Sequence, residues 1–155
     1  MPIILRTLPI ILICAAATAS AQIDFGDHAS STLTGKAWAA LNAKRFEDAQ
    51  TYAEKCAALY EKQALEMQKS LTAPLPASER EAVFKLWALN DVGTCLFILG
   101  QAFEKQEKPR EALVAYQKLT GSLSFAQAWD PQGWFWKPAE AAKSRVKALE
   151  FDTLK

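Results

Sequence analysis

Side chains that could support catalysis are few in this sequence and form no recognisable constellation. His28 is the single histidine among 155 residues, which excludes a Ser-His-Asp or Cys-His arrangement in the core. A zinc site is disfavoured because zinc needs several histidine or cysteine ligands. A glycosidase needs two carboxylates about 5 to 10 Å apart, and Asp91 with Asp130 is a possible pair without further support. We expect a non-catalytic protein with no metal and no cofactor.

An aromatic segment near the C-terminus is a candidate for recognition chemistry. Residues 129–136 read WDPQGWFW, and the order Asp-Pro-Gln-Gly is typical of a tight turn. The turn is expected to bring Trp129 close to Trp134 and Trp136, beside Asp130. Three indoles so placed would stack on sugar rings, or they would fold down as a cap over apolar surface at the end of the domain. The sequence leaves both interpretations open.

An acidic residue interrupts the most apolar part of the sequence. Asp91 follows Asn90 in a predicted helix whose segment Cys95–Leu99 is apolar on all sides. A carboxylate next to a buried stretch must find a partner, because leaving it unpaired costs several kcal/mol. We expect Asp91 to hold the aromatic segment by bonding an indole or a backbone N–H, with a role as a site carboxylate as the alternative.

Residues 1–21 have the features of a secretory signal peptide. Arg6 is the only charged residue before Asp24, and residues 8–17 form an apolar stretch interrupted by one proline. The Ala-Ser-Ala sequence at 19–21 is the pattern that signal peptidase accepts. The apolar stretch is shorter than the about 20 residues of a membrane-spanning helix. We predict cleavage and export, to the periplasm or as a secreted protein, with an uncleaved anchor as the alternative.

The chain without this segment is electrically balanced. Removal of residues 1–21 takes away one of the 18 basic residues and none of the 17 acidic ones, which leaves a formal balance of zero. The charges are interspersed along the chain, so the basic footprint of a nucleic-acid-binding protein is absent. Nothing in the charge distribution indicates steering towards anionic membranes, and no stable membrane insertion is expected after cleavage.

Two cysteines, Cys56 and Cys95, remain in the exported chain. Cysteines in an oxidising compartment often pair, so a disulfide between them is one interpretation. The alternative is that both are small buried hydrophobic residues on apolar helix faces. The geometry of the two side chains decides between these interpretations.

Apolar residues recur mostly at intervals of three or four between residues 49 and 71, and helix end signals occur along the rest of the chain. Together they predict an all-α domain. The predicted end signals are a capping box of Ser78 and Glu81, Pro109 at the start of a helix and Gly121 as a C-terminal cap. We predict five antiparallel helices, the last of which caps the domain. They span 30–44, 46–71, 79–106, 109–121 and 138–151, after a flexible lead-in at 22–29, in a domain 30–155.

One stretch carries a repeat pattern of helical hairpins. Residues 96–116 contain Leu-x2-Leu-Gly-x2-Phe followed by Ala-x3-Tyr. This order and spacing resemble the tetratricopeptide repeat (TPR), in which two antiparallel helices touch through small residues, here Gly100 and Ala112. A degenerate version of the same pattern spans residues 37–53. The resemblance implies two TPR-like hairpins separated by an insertion, rather than a regular array.

The resemblance to TPR proteins also implies a partner-binding face. TPR domains bind partners through a concave face, lined by the first helix of each hairpin. A mixture of aromatic and amide side chains suits a protein, a peptide or a glycan. The alternative is that Trp38 and Phe97 belong to the core. The residues that the repeat pattern places on this face are Thr34, Trp38, Asn42, Thr94, Phe97, Gln101 and Glu104.

Two further segments carry a second resemblance. Residues 88–95 (ALNDVGTC) and 126–142 (AQAWDPQGWFWKPAEAA) are similar to segments of an exported bacterial TPR-containing family, some members of which carry glucanase-like names. This resemblance implies a cell-envelope or polysaccharide context. We therefore expect a non-catalytic module that binds a protein partner in the cell envelope. The alternative is a carbohydrate-associated protein, which binds glycan through the 129–136 turn or assists a glucanase.

Overall fold

The computed structural model describes residues 23–153, and the predicted signal peptide at 1–21 lies outside them. The described chain is helical except for its loops and one short hairpin, which confirms the all-α fold class. This part of the chain contains six helices where the sequence predicted five. The elements are α1 (Ser30–Asn42), α2 (Phe46–Lys69), α3 (Arg80–Lys85), α4 (Trp87–Lys105), α5 (Pro109–Ser122), β1 (Ala128–Asp130), β2 (Trp134–Trp136) and α6 (Pro138–Thr153).

Helices α1 and α2 form the first hairpin. The loop between them includes Lys44, whose φ of 60° lies in the left-handed region. Small buried residues, among them Ala37 on α1 and Ala53 on α2, allow the two helices to approach closely. With 24 residues, α2 extends beyond the 13 residues of α1. Near its end, Gln68 accepts a hydrogen bond from the backbone N–H of Phe125 (3.0 Å).

The helix predicted at 79–106 is broken at Leu86 into α3 and α4. At Leu86 ψ is 34°, outside the helical range, and its N–H bonds the carbonyl of Val83 (3.1 Å) in a tighter turn. The side chain of Asn90 donates a second hydrogen bond to that carbonyl (2.7 Å). The side chain of Asn90 therefore replaces the backbone N–H that would bond this carbonyl in an unbroken helix.

The capping box predicted for Ser78 and Glu81 is not formed. Helix α3 begins at Arg80, with Glu79 at the N-cap position and no side-chain capping hydrogen bond. The backbone N–H of Glu79 bonds the carbonyl of Pro76 instead (2.9 Å). The proline-containing loop therefore makes a turn of its own before α3, and this turn takes Ser78 out of the capping position.

Helix α5 begins at Pro109, as the sequence predicted. The predicted C-terminal cap at Gly121 is wrong, because the glycine lies inside the helix, which ends at Ser122. The helical hydrogen bonding continues past it, since the N–H of the buried Leu123 bonds the carbonyl of Leu119 (3.1 Å). Burial of Leu123 thus extends the helix beyond the point at which the glycine suggested an end.

Helix α4 is the central element of the fold. It packs against α1, α2, α5 and α6. Its segment Cys95–Leu99 is largely buried, as the all-round apolar character predicted. Gly100 lies directly against the ring of Tyr116 on α5, and the absence of a side chain there lets the two helices approach. The repeat pattern predicted a small residue at position 100, because the two helices of a hairpin touch there.

The chain after α5 folds back over the helices. Strands β1 and β2 form an antiparallel hairpin, and α6 then packs against α5 and α4. The sequence did not predict the hairpin, because its strands have only three residues each, too few to show alternation. The last helix, predicted at 138–151, is present as α6.

Residues 23–29, predicted as part of a flexible lead-in, contact the first hairpin. The ring of Phe25 packs edge-on against that of Tyr52, with 5.9 Å between the ring centroids. The carbonyl of His28 accepts a hydrogen bond from the hydroxyl of Tyr60 (2.9 Å). An aromatic contact and a hydrogen bond therefore hold this segment against α2.

Candidate functional site

The turn between β1 and β2 has the geometry that its sequence predicted. The N–H of Gly133 bonds the carbonyl of Asp130 (2.9 Å), which closes a four-residue turn. The Asp130 carboxylate accepts a second hydrogen bond from the N–H of Gln132 (2.8 Å). Gly133 has a φ of 106°, a conformation that side chains disfavour. The aromatic segment is therefore an ordered hairpin rather than an open loop.

The three indoles of the hairpin are divided between its two faces. Trp129 is opposite Phe135 in the strand register, and their ring centroids are 4.9 Å apart. Trp134 and Trp136 alternate with Phe135 along β2, so they lie on the other face of the hairpin. The sequence left open whether the three indoles stack on a sugar or cap apolar surface. The pleat of the strands places Trp129 on one face of the hairpin and Trp134 and Trp136 on the other.

Asn90 anchors the hairpin to α4. Its side-chain oxygen accepts a hydrogen bond from the N–H of Gln127 (2.9 Å), while its Nδ2 donates to the carbonyl of Val83. Gln127 in turn donates from its side chain to the carbonyl of Leu75 (2.7 Å). The anchoring role that the sequence assigned to Asp91 belongs to its neighbour Asn90. An amide offers a donor and an acceptor at once, whereas a carboxylate only accepts.

Trp136 joins the two surfaces that the sequence singled out separately. Its ring centroid lies 5.2 Å from that of Phe97 on α4 and 6.3 Å from that of Trp38 on α1. All three side chains are partly buried. The hairpin therefore covers the middle of the face formed by α1 and α4. Trp136 acts as a cap on that face, whereas Trp134 remains 58% exposed.

Two adjoining cavities lie beside Trp136 on this face. The first, the aspartate cavity, has a volume of about 370 Å³ and includes Asp91 in its lining. The second, the turn cavity, has a volume of about 550 Å³ and includes Asn42 and Asp130. The aromatic rings that line the aspartate cavity belong to Trp38, Phe84, Trp87, Trp129, Phe135 and Trp136.

All five tryptophans of the chain line these two cavities. Trp38, Trp129 and Trp136 line both, Trp87 lines the aspartate cavity and Trp134 lines the turn cavity. Cavities of a few hundred Å³ with mostly apolar walls and a few polar groups are the usual form of a ligand site. The arrangement therefore has the form of a ligand site, while Trp38 also packs against the core.

A third, polar cavity of about 860 Å³ shares Asn42 with the turn cavity and is lined by Gln101 and Glu104. Glu104 is engaged within the fold: it accepts a hydrogen bond from the hydroxyl of Tyr116 (2.7 Å) and forms an ion pair with Arg145. Burial raises the pKa of Tyr116 above its usual value, which keeps the hydroxyl protonated as a donor. These bonds join α4, α5 and α6, so Glu104 has a structural role at the polar cavity.

The seven residues that the repeat pattern placed on one face lie together in the structure. Phe97 lies against Trp136, and the other six each line at least one of the three cavities. Thr34 and Thr94 are buried beside the aspartate cavity, where their hydroxyl groups bond helix carbonyls. The seven residues therefore share one face of the helices, and the hairpin covers part of it.

Sequence reasoning missed Phe84, Trp87 and Gln127 as residues of this site. Phe84 and Trp87 are three positions apart in the sequence, a spacing that places two side chains on one side of a predicted helix. That spacing of two large aromatic residues was a usable signal. No local signal marked Gln127, because its role depends on a hydrogen bond to Asn90, which is 37 residues away in the sequence.

Asp91 is a partly buried carboxylate in the lining of the aspartate cavity. It accepts a hydrogen bond from the hydroxyl of Ser30 on α1. Burial raises the pKa of the Asp91 carboxyl above its usual value, and the bond from Ser30 opposes that rise only in part. The charged form of this group is therefore less stable in the folded protein than in the unfolded chain.

Asp91→Asn is consequently expected to stabilise the fold at neutral pH. The folded pKa exceeds the unfolded one, so the charged carboxylate destabilises the protein above the folded pKa. This destabilisation disappears as the pH falls below the unfolded value near 3.8. Thermal unfolding should show a Tm that is higher by a few degrees at pH 7, with a difference that shrinks towards pH 4. An equal or lower Tm at pH 7 would contradict this account of Asp91.

Cys56 and Cys95 are free, buried thiols. The Oγ1 of Thr34 lies 3.2 Å from the Sγ of Cys95 and 3.9 Å from the Sγ of Cys56. Burial raises the pKa of the Cys95 thiol well above its usual range. In the structure, Cys56 and Cys95 are therefore small buried residues on helix faces, the alternative to a disulfide.

Within residues 23–153, no group of three or more His, Cys, Asp or Glu side chains is placed to hold a metal ion. None of the helices in that range has the length and apolar character needed to cross a membrane. Asp91 and Asp130, the possible glycosidase pair, line different cavities. The Asp130 carboxylate is also used within its own turn.

The chain has no match among family models, curated proteins or solved structures. Its function is therefore inferred from the face that α1, α4 and the hairpin form together. That face combines two adjoining aromatic cavities with a carboxylate in the lining of each.

Proposed function

We propose that the protein is a non-catalytic, exported binding module built on TPR-like helical hairpins. The observation that carries this proposal is the placement of all five tryptophans around the aspartate and turn cavities. Tryptophans that only stabilise a fold are packed into its interior, whereas these surround open space. Such a face offers a partner a large apolar contact area together with directional polar groups.

Exposed aromatic residues beside the cavities support this proposal. Phe84 and Trp87 keep 46% and 38% of their surface in contact with solvent, and Trp134 keeps 58%. Covering apolar surface is favourable by about 25 cal/mol for each Å², and clustered exposed rings are typical of an interaction site. A partner that covers these rings gains this free energy when it binds.

The proposed partner is a protein that inserts a loop or a chain end into these cavities. Trp136 covers the middle of the face, so an extended peptide cannot lie along its full length. The carboxylates of Asp91 and Asp130 favour a segment that is apolar or positively charged. The bound segment is therefore short, in contrast to the long ligands of solenoids with many repeats.

Carbohydrate binding in the turn cavity is the second candidate function. It is favoured by the exposure of Trp134, next to the exposed amide of Asn42 and the carboxylate of Asp130. The flat face of an indole stacks on a sugar ring, while amide and carboxylate groups bond the hydroxyls of the sugar. A glycan would therefore occupy the turn cavity and use Trp134 as its platform.

Removing the Trp134 ring is expected to weaken partner binding without unfolding the protein. In Trp134→Ala, an exposed ring at the turn cavity is lost, and the loss of a central aromatic contact typically weakens binding by more than about tenfold. The measurement is quantitative capture of envelope proteins on the immobilised protein, together with binding to a glycan array. Thermal unfolding should give the same Tm for the variant and the wild type.

Val114→Ala is the matched control for this experiment. It truncates an apolar side chain of α5 that is 65% exposed and lines neither cavity. Capture should be unchanged in this variant. Equal binding by the wild type and Trp134→Ala, both to envelope proteins and on the glycan array, would contradict the proposed function. If only glycan binding depends on Trp134, the second candidate replaces the first.

A further inference from the structure

We propose that the aspartate cavity binds an organic cation, and that the group it recognises is a methylated ammonium. The inference rests on the proposed function, because it takes this cavity to be a ligand site and names the chemistry of the ligand. Three features of the cavity support it: the aromatic walls, the sign of the charge in the lining, and the prior use of its polar groups.

The walls of the aspartate cavity are unusually rich in aromatic rings. Six rings line a volume of about 370 Å³, four of them indoles. The face of an aromatic ring attracts a cation through its quadrupole, most strongly for tryptophan, and several rings around one space form the cage that recognises quaternary ammonium groups. A methylated ammonium also carries apolar methyl groups, which gain free energy by leaving water. The walls therefore match both properties of this ligand.

The charge of the lining selects for a cation. Asp91 is the one charged side chain among the described residues that line the aspartate cavity. Its partial burial means that the carboxylate is poorly screened by water, so a cation in the cavity feels it strongly. A cation would also relieve the unfavourable burial of this charge. An anionic ligand, in contrast, would meet repulsion from Asp91 without any basic group in the described lining to offset it.

Four neutral polar side chains of the lining are already used within the fold. Thr34, Thr94, Asn90 and Gln127 each donate a hydrogen bond to a backbone carbonyl at 2.7 to 2.8 Å. A sugar needs several donors and acceptors that are free to bond its hydroxyls, and these donors are committed elsewhere. A methylated ammonium needs none of them, because it is held by ring faces and by a negative charge. The commitment of these groups therefore favours the cation over a sugar in this cavity.

The protein itself places a cation on a ring of this cluster. The guanidinium carbon of Arg80 lies 4.3 Å from the centroid of the Trp129 ring. Trp129 lines the aspartate cavity, whereas Arg80 is not part of its lining. The contact is an internal example of the interaction that we infer for the ligand.

The test measures binding of choline to the purified protein by isothermal titration calorimetry, with 3,3-dimethylbutan-1-ol as its neutral counterpart of the same shape. Choline should bind, and the neutral alcohol should bind at least about tenfold more weakly, since it lacks the charge that the rings and Asp91 attract. Similar affinities of the two compounds would contradict the inference, because apolar burial alone would then explain binding.

Two substitutions test the residues that we assign to the cation. Asp91→Asn should weaken choline binding at least about tenfold while the protein remains folded. Trp87→Leu, which removes a ring of this cavity only, should weaken it by a similar factor. Glu111→Gln removes an exposed carboxylate of α5 and is the matched control, with unchanged binding expected. Unchanged affinity in both cavity variants would overturn the assignment.

A second titration distinguishes the two sources of a methylated ammonium. A short peptide with a central trimethyl-lysine is compared with the same peptide carrying unmodified lysine. Preference for the methylated peptide over choline assigns the cavity to a modified protein segment, and the reverse assigns it to a small solute. If neither ligand binds while Trp134-dependent capture of envelope proteins or glycans persists, the inference fails and the proposed function stands. If that capture also fails, both are wrong.

Discussion

Gly100→Ala is expected to destabilise the protein by about 3 kcal/mol, a large effect for one added methyl group. The new Cβ would lie 2.5 Å from Cζ and 2.7 Å from Cδ1 of Tyr116, distances at which atoms overlap. Tyr116 cannot easily move away, because it is fully buried and its hydroxyl is bonded to Glu104. Helices α4 and α5 must therefore separate, and the core loses contacts on both sides.

Gly121→Ala provides the matched control, because the same substitution is made on α5 where a Cβ would meet no atom within 4 Å. Alanine is a better helix former than glycine, so this variant should be more stable by up to about 1 kcal/mol. Thermal and urea unfolding of the two variants should give shifts of opposite sign. A Gly100→Ala protein as stable as the wild type would show that α4 and α5 are not packed as described.

Asn90→Ala is expected to destabilise the protein by about 2 to 4 kcal/mol. The substitution leaves the buried N–H of Gln127 without its partner, which costs about 1 to 3 kcal/mol. It also removes one of the two hydrogen bonds to the carbonyl of Val83, which keeps the bond from the N–H of Leu86, and this loss adds about 1 kcal/mol. Because Asn90 fixes the hairpin, the aromatic contacts of Trp136 should weaken at the same time.

Urea unfolding measures the change in stability, and near-ultraviolet circular dichroism reports on the packing of the tryptophans. Asn42→Ala is the control, since this asparagine of α1 is exposed and its loss should change stability by less than about 0.5 kcal/mol. If Asn90→Ala kept both its stability and its near-ultraviolet spectrum, the hairpin would have to be held by other groups.

The helices were predictable from the sequence because their signals are local. The spacing of apolar residues located α2, the repeat pattern located the hairpin of α4 and α5, and Pro109 marked a helix start. The break at Leu86 was not predictable, because it depends on a hydrogen bond from Asn90 to a carbonyl seven positions earlier. The hairpin was also missed, since its strands are too short for a periodic signal. Local patterns thus predicted the elements, and tertiary hydrogen bonds decided where they are interrupted.

The sequence predicted many of the residues that belong to the candidate site, but it predicted their arrangement in space only in part. The repeat pattern placed Trp38 and Phe97 on one face, and the turn signal identified the segment around Trp136. Contact between these two surfaces was not predictable, because nothing local in the sequence shows where the chain after α5 returns. The exchange of roles between Asn90 and Asp91 has a similar cause. Two adjacent positions on a helix differ by about 100° in direction, and only the packed structure shows which one faces the hairpin.

The position of Trp136 has a consequence for the order in which the molecule folds. Its contact with Trp38 joins α1 to the segment just before α6, and these are the first and last helices among the described residues. Contacts between residues that are far apart in sequence form late, because closing a long segment of chain costs entropy before the contact stabilises it. The helical hairpins, whose partners are neighbours in sequence, are expected to form earlier. A growing chain therefore acquires helices α1 to α5 before the candidate site, which exists only after β2 has been synthesised and has closed onto α1.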